Sequence, residues 1–155
     1  MLYATLKTLH VLSLIVWVGG MVFSRFFLSP ATAHLDTPAR VRLMHAVLGR
    51  FFRAVLVASL LVLGSGIWML GRVAKQTAQS GASFDMPVAW TIMTALGVLM
   101  VAIFMHIRFA LYKRLSRAVA ASQWEAGAAA LGQIRTWVGI NLVLGVVVLV
   151  VTLLR

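Results

Sequence analysis

The sequence predicts an all-α fold, a four-helix transmembrane bundle running up and down, in a single domain over residues 1–155. Three observations carry this. The chain is 62% hydrophobic, with a mean hydropathy of +0.99, whereas soluble domains are roughly 45–50% apolar. Four apolar runs reach the length of about 20 residues that crosses a hydrocarbon core of ~30 Å. Lysine and arginine gather in alternate connections between those runs.

The first span covers about residues 3–24. Its run YATLKTLHVLSLIVWVGGMVF contains His10, Trp17 and the pair Gly19–Gly20, and Arg25 follows it. The run exceeds a typical secretory signal core, and Arg25 interrupts the approach to the small residues Ala31–Ala33, so it reads as a retained helix. Thr37 and Pro38 read as cap and first turn of the next helix, which starts well before its apolar core at 54–71. Residues 72–86 are rich in Gln, Ser, Ala and Gly and read as a short exposed loop. Pro87 opens a third span over about 87–107. Residues 108–135 read as helical on both sides of a turn near Ser122, and a fourth span covers about 137–154.

Charge gives the orientation. The first and third connections hold five Lys or Arg each and the second holds two, with Lys7 and Arg155 beside the termini. The positive-inside rule makes the first and third connections cytoplasmic and both termini outward. In a bacterial inner membrane, that places both termini in the periplasm. The net charge of +11, with only three acidic residues, is explained by this topology rather than by nucleic acid. The expected partners are the bilayer and its acidic phospholipids. Four short helices enclose little room for a pore, so a homodimer is also expected.

A gapless shift of 83 residues superposes Arg25 on Arg108, Phe26 on Phe109 and Leu28 on Leu111. It also superposes Leu48 on Leu131, Gly49 on Gly132 and Val55 on Val138. Two parallel copies of one helical hairpin would produce this pattern. Gly19, Gly20, Gly64, Gly66 and Gly145 would admit close helix contacts.

An ionisable residue inside a membrane span is costly, so His10 is the leading candidate for a functional group. It lies about seven residues into the first helix, ~10 Å below the outer boundary. Met93, six residues past Pro87 on the third helix, falls at similar depth, and Met69 lies a little above. An imidazole with nearby thioethers suits Cu(I). His10 and Met93 also form a pair of axial haem ligands, and methionine is a common filler of apolar cores. His106 lies near the inner boundary, ~20 Å below His10, so the two cannot share one metal ion. His45 and His106 can form an inner site if the third helix extends inward, or each can be an interfacial histidine. Arg50, Arg53 and Arg135 sit nearest the spans and can neutralise haem propionates or another anion. Asn141 needs a hydrogen-bond partner inside the bundle.

The sequence excludes several classes. With no cysteine there are no disulfides, thiolate metal sites or covalent haem links. No acidic residue lies in a span, and there is neither a phosphate-binding glycine loop nor an HExxH motif.

The stretch LHVLSLIVWVGGMVF followed by LSPA resembles the opening of the CopD family of copper-resistance membrane proteins, as do LGRFFRAV and LGQIRTWVGINLVLG further on. The resemblance implies copper handling, by transport or resistance. More distantly the chain resembles HemJ, a haem-binding membrane protein linked to protoporphyrinogen oxidation, which implies a haem b site. The third span carries Trp90, Thr91 and Met93 where both families commonly have a lysine. The expected function is copper handling through a His/Met site built on His10. Haem b redox chemistry is the first alternative, and a ligand-free scaffold is the second.

Overall fold

The computed structural model describes residues 1–81, 83 and 85–154. Its secondary structure is helical, in four long helices apolar enough to cross a membrane: α1 Leu2–Ala31, α2 Thr37–Gln79, α3 Val88–Ala120 and α4 Trp124–Leu153. The molecule is a multi-pass membrane protein.

The helix ends follow local chemistry. Asp36, rather than Thr37, is the N-cap residue of α2, and a proline stands in the first turn. The expected loop over 72–86 begins later than predicted, because α2 continues to Gln79. Residues 72–79 are largely Arg, Ala, Lys and Gln, which keep a helix going once water replaces lipid. The chain then turns at Gly81, whose φ of +76° suits a residue without Cβ. Pro87 lies just outside α3 rather than inside its first turn. Between α3 and α4, Ser122 takes a left-handed φ of 53°. The Gln123 N–H donates to the Ala118 carbonyl at 2.9 Å and the Ser122 N–H to Val119 at 3.1 Å, closing a Schellman turn.

Neither α1 nor α3 is α-helical throughout. Residues Phe23–Leu28 and Ile107–Leu111 form π turns. These are the segments that the shift of 83 superposes, with Arg25 and Arg108 at matching positions. Pro30, which lacks an N–H, helps to break α geometry in the first. Lys113 stands at the aligned position of the second, so proline is not the shared cause.

α1 packs along α2, and α3 along α4, while α4 also meets α1 and α2 meets α3. The core lies toward the arginine-rich half. Trp17, Phe52 and Phe104 are at most 2% exposed, and Phe104 meets the other two rings edge-on at 5.8 and 6.1 Å. Each such pair contributes about 0.5–1.5 kcal/mol beyond its buried area. Large apolar side chains such as Ile15, Val57, Ile67 and Val143 point outward, as lipid contact requires.

Small residues set the helix spacing. A Cβ on Gly127 would stand 2.8 Å from Val41 Cγ1, so α4 approaches α2 closely there. A Cβ on Gly145 would meet Met100 Cε at 3.2 Å and Val18 Cγ2 at 3.3 Å.

Candidate functional site

His10 is half-buried on α1 and faces α2. Its Nδ1 lies 2.9 Å from Ser65 Oγ. Ser65 is itself buried, and its hydroxyl donates to the Leu61 carbonyl within its own helix. A hydroxyl has one proton. When that proton goes to Leu61, Ser65 Oγ accepts from the Nδ1–H of His10; when it goes to His10, Nδ1 is the acceptor, and the two arrangements correspond to the two tautomers. In the Nδ1–H tautomer, Nε2 is the basic nitrogen. Gly66 adds room, since its Cα side faces His10 Cε1, which an added Cβ would meet at 3.5 Å.

Met69 lies four residues beyond Ser65 on α2 and shares its face. It is half-buried, one turn nearer the termini than the imidazole. Met93, on α3, is also half-buried and packs against the hydrophobic core. Among the described residues, no group of three or more His, Asp or Glu side chains gathers around a point that could hold a metal ion. His10 meets α2 through Ser65, whereas α3, which carries Met93, packs on α4 and α2 rather than along α1.

The two inner histidines have separate partners. α3 does extend inward, but His45 meets it at Ser116 and Tyr112, well past His106. His45 Nε2 lies 2.9 Å from Ser116 Oγ. Its ring stacks on Tyr112 at 5.2 Å, and the Tyr112 hydroxyl donates to the His45 carbonyl at 3.1 Å. His106 is exposed and meets the edge of Trp137 at 5.3 Å. Both histidines thus take part in helix packing, each on its own aromatic ring.

Arg50 and Arg53 are exposed on α2. Arg135, also exposed, lines a cavity between α1, α2 and α4, together with Arg25 and Arg40. Arg42 covers the Trp124 ring at 4.6 Å, tying the starts of α2 and α4 together. Asn141 is 1% exposed; its Nδ2 donates to the Met100 carbonyl at 3.3 Å, and its Oδ1 has no partner among the described residues. Trp17 is a core residue.

Sequence reasoning missed Ser65 as the residue that orients His10. The signal was a serine between Gly64 and Gly66 in an apolar run, which reads equally as packing. It also missed Arg25 and Arg40 as companions of Arg135, because 110 and 95 residues of chain separate them.

A family model described as copper resistance protein D, CopD, matches residues 45–155. The match spans most of α2 and all of α3 and α4, and begins after His10. Comparison with curated proteins and with solved structures returned no match.

Proposed function

The chain belongs to the CopD family, and from that footing we propose that it handles copper, taking Cu(I) as cargo at the His10 imidazole inside the membrane. The observation that carries the site is the Ser65 contact, which orients the His10 ring; in the Nδ1–H tautomer its Nε2 is the nitrogen donor. The family match supports copper as the ion, while the position of the site rests on the geometry of α1 against α2.

A neutral imidazole with Met69 on the facing helix is a soft, low-charge donor set, which Cu(I) prefers and Mg(II) or Ca(II) does not. Ser65 acts as the outer partner that fixes ring orientation, as hydrogen-bond acceptors of metal-binding histidines do elsewhere. Weak, low-coordinate binding fits a carrier that must release its ion.

The test is Cu(I) binding by the detergent-purified full chain against a competing chelator without oxygen, with iron analysis and an absorption spectrum on the same sample. The expected result is stoichiometric copper in the wild type and its loss in His10→Ala. A Soret band with stoichiometric iron would replace this reading with haem b on His10 and Met93. Neither ligand, after expression with both supplied, would leave the scaffold reading.

A further inference from the structure

The shift of 83 residues relates two inter-helix junctions, one open and the other filled. Between α3 and α2, the aligned set is Tyr112, His45, Gly49 and Phe52. Tyr112 fills this junction, with its ring edge-on to Phe52 at 5.5 Å and its hydroxyl against Gly49 and the His45 carbonyl. Between α1 and α4, the same positions are Ser29, Ala128, Gly132 and Arg135. Serine stands in place of the tyrosine, alanine in place of the histidine and arginine in place of the phenylalanine. A cavity of about 260 Å³ remains, lined by all four of these residues. A Cβ on Gly132 would meet nothing within 4 Å, whereas one on the aligned Gly49 would run into the Tyr112 hydroxyl.

Three arginines from three helices line this cavity: Arg25 from the π turn of α1, Arg40 near the start of α2, and Arg135 from α4. No acidic residue lines it. Arg25 and Arg40 are half-buried and Arg135 is exposed at the mouth, and among the described residues none of the three side chains has a hydrogen-bond or ion-pair partner. Arg25 Nε lies beside α4, 3.7 Å from where a Cβ on Gly139 would stand. Partly desolvated like charges repel each other and need a counter-charge. The remaining lining is largely apolar, including Leu48, Leu131 and Val138.

We propose that this cavity is a binding site for a phosphate group, held by Arg25, Arg40 and Arg135. Guanidinium forks match phosphate oxygens bidentately. A phosphate monoester carries about −1.5 to −2 charge at neutral pH, so it balances the cluster better than one carboxylate. The cavity volume is several times the roughly 30 Å³ that a liquid water occupies, which admits a tetrahedral group and part of what it is bonded to. Two sources share this chemistry: the headgroup of a phospholipid, or free phosphate from the arginine-rich side. The site is independent of the His10 reading.

Native mass spectrometry of the detergent-purified full chain tests it in three arms: short-chain phosphatidic acid, the matched phosphatidylcholine and inorganic phosphate. Phosphatidic acid retained over phosphatidylcholine identifies a lipid headgroup. Inorganic phosphate that binds and displaces the lipid identifies the free anion. Arg25→Gln or Arg135→Gln is expected to weaken the favoured ligand about tenfold or more, with Arg50→Gln unchanged. Ser29→Tyr reproduces the filled junction with no change in charge and should abolish binding; a thermal melt checks that each variant folds. Wild type that retains none of the three probes, or folded Arg135→Gln and Ser29→Tyr that bind as wild type does, would overturn the proposal.

Discussion

Ser65 illustrates how one hydroxyl proton determines the chemistry of a membrane histidine. When that proton goes to the Leu61 carbonyl, Ser65 accepts from His10 and selects the Nδ1–H tautomer. Ser65→Ala removes the acceptor and frees the ring to rotate and exchange tautomers. The expected cost is about 10- to 100-fold in Cu(I) affinity, the usual effect of losing a metal ligand's outer partner. Ser65→Thr, which keeps the hydroxyl, should restore most of it, and chelator competition reads both. A purely structural serine would alter the melting temperature and leave copper affinity unchanged. The place of His10 inside the first apolar helix was legible in the sequence. Its partner was not, because serine satisfies itself within a helix at little cost and so leaves no trace.

The glycines show why equal residues in aligned elements have unequal roles. Gly49 and Gly132 superpose in the repeat, yet Gly49 faces the Tyr112 hydroxyl and Gly132 faces the open cavity. Tyr112 is held by Phe52, His45 and its own hydrogen bond, so it cannot easily move aside. Gly49→Ala should therefore destabilise the protein by about 1–3 kcal/mol through overpacking. Gly132→Ala should be neutral or stabilise by up to about 1 kcal/mol, the helix-propensity gain of alanine over glycine. Thermal melts in one detergent measure the difference, and equal shifts would mean that the two junctions are alike. The spans were legible because hydrophobic length is a strong signal. The run of α2 to Gln79 was not, because polar helix formers and loop residues look alike where the apolar pattern stops. The π turns left no compositional mark beyond the repeated arginine.

At the scale of the molecule, the charge distribution and the fold make one prediction about orientation. The connection between α1 and α2 and the connection between α3 and α4 lie at the arginine-rich end, and the turn after α2 lies at the other end with both termini. Positive-inside bias counts charges near the span ends, and the three-arginine cavity adds a focused positive field there. Single-cysteine labelling is well suited to the question, since the chain has no cysteine of its own. Ser80 and Ser122 are both exposed and stand at opposite ends of the bundle. A membrane-impermeant maleimide added to intact cells with a permeable outer envelope should label Ser80→Cys and not Ser122→Cys, which should react only once the inner membrane is opened. The reverse pattern would place the arginine cavity on the outer face, where a phosphate group would have to come from outside the cytoplasm, and would move His10 to the cytoplasmic half of the membrane. The labelling pattern therefore decides which face would supply Cu(I) to the proposed His10 site.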